Sequence, residues 1–143
     1  MSGLFSAKSE QEVSDFIFDN YNNNNPLELV GYNSKKIGRI IQTSQSLSME
    51  SMSGILEYFP EELYIKVLPG TSLNEIESVL KEKKQYLGFE PNDLGYMYTG
   101  KSNPGSIGGV VACNLSGPGR FKNGALRDHI LGFKAVNGSG AKI

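Results

Sequence analysis

The sequence predicts an α+β fold, and three observations lead there. Short apolar runs of strand length alternate with turn residues. Two segments with helical spacing each open on a capping box. A third apolar run, Ile107 to Cys113, is hemmed in by glycine, and Asn103 to Gly119 hold five of the chain's 17 glycines. The chain has 143 residues, enough for one domain with a real core.

Taken in order, Ser9 begins S-x-x-E with Glu12, and Val13, Phe16, Ile17 and Tyr21 follow at helical spacing, so residues 9–22 read as an amphipathic helix. It runs into Asn22-Asn23-Asn24-Asn25-Pro26, a turn-favouring linker. Leu27 to Val30 read as a strand ended by the polar turn Gly31-Tyr32-Asn33-Ser34-Lys35. Residues 36–53 are serine-rich and give no clear period. Gly54–Phe59 and Leu63–Leu68 read as strands on either side of Pro60, close enough for an antiparallel pair. Ser72 and Glu75 form the second capping box, and Leu73, Ile76, Val79 and Leu80 give residues 73–85 an apolar helical face. A loop over 88–104 precedes the glycine-flanked run, and Ile130–Val136 read as a final strand. Asn137-Gly138 signals a hairpin turn, but only Ala141, Lys142 and Ile143 remain to return, which implies a chain cut short of a longer protein.

Composition excludes several functions. Hydrophobic residues make 38%, charged residues 20%, and the formal net charge is −1, which is not the basic footprint of a nucleic-acid binder. The densest basic cluster, Lys81, Lys83 and Lys84, is diluted by Glu77 and Glu82 and reads as a solvated helix face. One cysteine, Cys113, builds no disulfide or metal cluster and reads as a small buried hydrophobe. No apolar run reaches membrane-spanning length and no signal peptide is visible, so a cytoplasmic location is expected.

Two loops carry the chemistry. In Gly31–Lys35 a glycine with positive φ would let backbone amides converge into an anion-binding nest, with the Ser34 hydroxyl and the Lys35 charge beside it. Neither the Walker nor the GxGxxG spacing is present, and alone this stretch reads as a strand followed by a plain turn. In Gly105-Ser106-Ile107-Gly108-Gly109, bare glycines would let a ligand approach the main chain, and a following helix would offer free N–H groups to negative charge. Together the two loops suggest a diphosphate held from two sides.

The ordered set of motifs resembles a known family. GxNSK at Gly31–Lys35 is followed by GI-x-x-Y-x-P-x-EL at Gly54–Leu63 and GT-x-L-x-x-IE at Gly70–Glu77. FEP at Phe89–Pro91, GG-x-VAC-x-L-x-GP at Gly108–Pro118 and RD-x-x-LG at Arg127–Gly132 complete it. This series resembles the FAD-binding subunit of bacterial glycolate oxidase, one of the vanillyl-alcohol-oxidase-like flavoproteins with a PCMH-type FAD-binding domain. The resemblance implies an N-terminal helix and Asn-rich linker over 1–26, then a partial PCMH-type domain over 27–143. That part would hold the N-terminal subdomain and the start of the second. It implies FAD, with Gly31, Tyr32, Asn33, Ser34 and Lys35 facing the pyrophosphate. Gly105, Ser106, Ile107, Gly108 and Gly109 would wrap it towards the flavin, Ala112, Asn114 and Gly117 would continue that wall, and Val136 would lie beside the adenine. The implied activity of the longer parent is hydride transfer from the alpha carbon of a small 2-hydroxy acid such as glycolate to the flavin. Electrons would pass to other subunits of the complex, a second flavin subunit and an iron–sulfur subunit, through which the protein would meet a membrane. The chain by itself is expected to be inactive.

The match has departures. Tyr32 stands where a small residue is common, and Gly119 where arginine is. The loop Gly95–Gly105 is long, and its Asn-Pro-Gly-Ser ending resembles the UDP-N-acetylenolpyruvoylglucosamine reductases, which supply the alternative reading. A non-catalytic remnant is the third. His129, the only histidine, reads as structural at the start of a strand, and Arg127-Asp128 as a local turn or ion pair. Tyr96 and Tyr98 read as an aromatic loop packed on its own domain. No residue pair has the spacing of acid–base catalysis, and no catalytic residue is assigned.

Overall fold

The computed structural model describes residues 3–35 and 42–143. Strand β1 (Gly3–Ser6) leads into helix α1 (Glu10–Asn22), and the chain returns as β2 (Leu27–Val30). Ser9 Oγ accepts from the Glu12 amide at 3.2 Å, so the helix is capped at the predicted place, while the Glu12 carboxylate reaches one residue further back and accepts from the Lys8 amide at 2.8 Å. Strand β3 (Gln45–Ser48) lies between β1 and β2 and pairs parallel with both. Sequence gave no reason to expect β1 or β3. Each is four residues long, and β3 has only one large apolar residue, Leu47, to mark it.

One face of this sheet carries Phe5, Leu27 and Leu47, which pack with Val13, Phe16 and Ile17 of α1 into the first core; Leu47 and Ala7 are fully buried there. The rings of Phe5 and Phe16 stack with centroids 4.4 Å apart. Because side chains alternate along a strand, Leu4, Ser46, Ser48 and Val30 share the other face.

Strands β4 (Ile55–Phe59) and β5 (Tyr64–Val67) form the antiparallel pair expected from sequence, joined by a 3-10 turn over Pro60–Glu62. Helix α2 (Leu73–Glu82) starts where Ser72 Oγ accepts from the Glu75 amide at 3.1 Å. A short helix α3 (Gly95–Thr99) lies inside the stretch read as loop. Helix α4 (Ile107–Ala112) is the glycine-flanked run, and α5 (Arg120–Asn123) with a 3-10 turn at Leu126–His129 follows. Leu73, Phe89, Val110 and Leu126 form the second core.

The expected strand at 130–136 is absent. That segment is largely exposed, with Leu131 87% and Phe133 75% accessible, and among the described residues no cross-strand backbone pairing reaches it before Ala135. The hairpin at Asn137 does form. Val136 bridges Lys142, and Ala135 and Ile143 exchange both backbone hydrogen bonds. Asn137 Oδ1 closes the turn by accepting from Ser139 and Ala141 amides. The turn docks on α1, where Ser14 Oγ donates to Gly140 O at 2.6 Å.

Candidate functional site

The first loop begins where β2 leaves the sheet. Asn33, not a glycine, is its left-handed residue, with φ 48°. Asparagine tolerates that region better than most residues, so the left-handed step falls at Asn33 and not at the glycine that sequence reasoning assigned to it. Gly31 has another reason to be glycine: a Cβ there would stand 3.1 Å from Ser106 Oγ of the second loop. Among the described residues, none of the amides of Gly31 to Lys35 makes a hydrogen bond. Ser34 is buried, Lys35 half-buried and Asn33 exposed.

The second loop is pinned by backbone bonds. Leu73 N donates to Gly105 O at 3.1 Å, Ile107 N to Thr71 O at 2.9 Å, and Gly108 N to Pro69 O at 2.9 Å. Ser106 caps α4 by accepting from Gly109 N at 3.4 Å. The amides of Ile107, Gly108 and Gly109, expected to be open to an anion, therefore already have protein partners. The amides of Gly105 and Ser106 have none among the described residues. Gly108 is bare because a Cβ would lie 2.8 Å from Pro69 O, a packing need rather than a ligand's. Gly109 differs, since a Cβ there would meet only Ser106 Oγ at 3.5 Å, so its face of α4 is open.

The two loops touch. A Cβ on Gly105, which has φ +85°, would fall 2.4 Å from Ser34 Oγ and 2.8 Å from Lys35 Nζ. Gly31 and Asn33 also line a cavity of about 320 Å³ with Leu4, Val30, Ser46, Ser48 and Glu50 on the open face of the β1-β3-β2 sheet. Burial pushes the Lys35 amine below its ordinary range, while the nearby Cys113 side chain and Asp93 carboxylate partly oppose the shift. Burial alone would raise the Asp93 carboxyl. Hydrogen bonds from Ser102 and from the amides of Asn103 and Gly95, with the nearby Lys35 charge, hold it lower than usual.

The other sequence candidates scatter. Gly117 sits against Glu90, while Ala112 and Asn114 are exposed beyond the core residue Val110. Val136 packs on the first core and lines a separate cavity of about 450 Å³ with Ile17, Leu27, Leu29 and Asn137. Cys113 is exposed, contrary to expectation, because six-residue α4 turns only Val110 fully inward and its last turn points away. His129 is structural as expected, but in a 3-10 turn: Nε2 bonds Asn123 O at 2.9 Å and the ring packs at Phe89. Arg127 and Asp128 form an exposed ion pair at 3.7 Å. Tyr96 and Tyr98 are exposed on α3, so they do not pack inward as expected.

Sequence reasoning missed Thr71 and Asp93. Thr71 is fully buried; its Oγ1 bridges Gly54 and Leu68, and its carbonyl holds Ile107. Asp93 Oδ1 accepts from Gly95 N at 2.9 Å and Asn103 N at 3.0 Å, and Oδ2 from Ser102 Oγ at 2.7 Å, closing the long loop on itself. Asp-x-Gly at 93–95 is an Asx-turn signal that was legible.

A diphosphate needs donors and a near approach to the main chain. Among the described residues the amides of the first loop are unpartnered, Ser34 and Lys35 lie beside them, and the face at Gly109 is open, which fits a diphosphate-bearing group such as FAD. Comparison with known proteins agrees. The chain is 39% identical over 119 residues to the glycolate oxidase subunit GlcE of Escherichia coli K12, covering 82% of this chain and 32% of that protein. It is 30% identical over 88 residues to D-2-hydroxyglutarate dehydrogenase of the same organism, covering 59% of this chain and 8% of that one. It thus spans about a third of the first relative's length. Among solved structures, alkyldihydroxyacetonephosphate synthase superposes with a TM-score of 0.76 at 21% identity, over 98% of this chain and 27% of that one, and so shares the fold. No helix among the described residues is long and apolar enough to cross a membrane. With the FAD binding domain family matching residues 1–143 throughout, the chain belongs to that family of flavoproteins, and its fold is the PCMH-type FAD-binding fold.

Proposed function

We propose that this chain supplies the diphosphate-gripping part of an FAD-dependent oxidoreductase subunit that oxidises a small 2-hydroxy acid, glycolate foremost. The observation that carries the reading is the contact between two loops from different parts of the chain. One has its amides unpartnered, and the other is bare at Gly105 and Gly109. Substrate class follows from the relatives, whose names specify glycolate and D-2-hydroxyglutarate, both 2-hydroxy acids. FAD, when bound, supplies hydride acceptance, which no side chain here provides. The residues bind and orient: the amides of Gly31 to Ser34 and of Gly105 and Ser106, with the open face at Gly109, would hold the diphosphate, and Lys35 lies beside them. Ala112, Asn114 and Gly117 as a further wall and Val136 at the adenine rest on the family resemblance. The partners are other subunits of a glycolate oxidase complex, a second flavin subunit and an iron–sulfur subunit among them, with any membrane contact made through them.

Gly109→Ala tests the site. Its methyl group has room in the fold and favours the helix by about 1 kcal/mol, so the melting temperature should hold or rise. The same methyl group faces the ligand, so quenching of FAD fluorescence on titration should weaken against the wild-type chain. A wild-type chain that never quenches FAD overturns the reading, and equal affinities would take α4 out of the site.

A further inference from the structure

Resting on the FAD reading above, we propose that Lys35 is a positioning residue that bolts the first loop to the second. Its ammonium group sits in the notch left by Gly105 and donates to Ser34 Oγ at 3.1 Å and Pro104 O at 3.4 Å. The motif at Gly31–Lys35 makes Lys35 look like a direct phosphate ligand, yet the side chain spends its donors across a gap of 69 residues in sequence. Glycine at position 105, with φ +85°, leaves the space that this contact uses. Any Cβ there would lie 2.8 Å from Nζ and 2.4 Å from Ser34 Oγ, so the bolt and its socket specify one another. Gly31 repeats the arrangement in mirror sense, leaving room for Ser106 Oγ at 3.1 Å. The two loops are therefore keyed together at two points.

The electrostatics make this bolt responsive. An ammonium group has three donors, and the two oxygens here are neutral. Among the described residues no carboxylate lies within 4.0 Å of Nζ. The carboxylate that bears on it is Asp93, from the loop before α3. A half-buried cation with neutral partners is held at a cost, which an anion entering the crevice between the loops would relieve. Anion binding and loop closure are thereby coupled.

The test uses the 143-residue chain, with Lys35→Met, which keeps length and removes charge, and Gly105→Ala, which keeps the charge and fills its socket. The readouts are backbone amide NMR spectra without FAD and FAD affinity by fluorescence quenching. In Lys35→Met without FAD, the amide resonances of Gly105, Ser106 and Ile107 should shift or broaden while those of α1 stay in place. FAD affinity should fall about tenfold or more, the scale of one charge-assisted hydrogen bond. Gly105→Ala should disturb residues 33–35 in the same way. If Lys35→Met weakens FAD but leaves residues 105–107 unmoved in the FAD-free spectrum, Lys35 touches the diphosphate directly and the bolt is refuted. Unchanged spectra with unchanged affinity refute it as well. Should Gly105→Ala fail to fold, Lys35→Met decides alone. If the wild-type chain does not bind FAD yet Lys35→Met still moves residues 105–107, the bolt stands and only the FAD reading falls.

Discussion

A methyl group on Gly117 would lie 1.7 Å from the carbonyl oxygen of Glu90, and the backbone there has φ +70°. Clash and left-handed strain act together at a residue that joins α4 to α5. The Glu90 amide also donates to Ser116 O at 3.1 Å, and Glu90 Oε2 accepts from Gly119 at 3.1 Å, so no easy displacement is available. Gly117→Ala should cost about 3 kcal/mol or more, measured as a lower urea midpoint, where Gly109→Ala costs nothing. A shift of less than about 1 kcal/mol would mean that Glu90 can move aside. The GG and GP glycines of one motif thus do different work. Gly108 and Gly117 admit neighbouring carbonyls, and only Gly109 leaves open space. A one-dimensional reading treats the three alike, because it has no view of which carbonyl approaches.

At the scale of elements, the long loop between α2 and α4 is organised by one carboxylate. Asp93 gathers Gly95 N, Ser102 Oγ and Asn103 N, and so fixes the entry to Pro104 and Gly105. Its folded pKa lies below the ordinary 3.8. The carboxylate therefore contributes stability that is fully present above that ordinary value and is lost as pH falls through the lower folded value. Thermal melts of wild type and Asp93→Asn should differ by about 1–2 kcal/mol at neutral pH and converge as pH drops below 3.8. Curves that stay parallel down to that range would remove Asp93 as the organiser. The two capping boxes, the β4–β5 pair and α1, α2 and β2 were legible because each is a local pattern: a cap with its period, or an apolar run with its punctuation. β1 and β3 were not, since GLFS and QSLS lack the apolar run and turn punctuation that mark β2 and are defined by the strands they pair with. The strand expected at 130–136 fails for the complementary reason: its composition suits a strand, but among the described residues only Ala135 and Val136 find a partner, in the returning hairpin.

For the whole molecule, the two loops that meet at Gly105 come from elements that pack into different cores. The first loop leaves the sheet packed on α1, and the second enters α4, whose Val110 is buried with Leu73 and Leu126. Leu73 serves both packing and position: its side chain is 1% exposed and its amide holds Gly105 O. Leu73→Ala should cost about 2–5 kcal/mol in chemical denaturation and should also weaken FAD under conditions where the chain is still folded. Loss of stability with unaltered affinity would show that the second loop does not depend on that core. The sequence by itself determined the family, the α+β class, the helices with their caps and the two loops that matter. These are written in residue types at short spacing. Only the tertiary structure decided which amides remain open, that Asn33 rather than Gly31 turns left-handed, that Cys113 faces solvent, and that Lys35 reaches Pro104. Those outcomes depend on atoms far apart in sequence competing for one donor or one small volume, and such competition leaves no trace in local pattern.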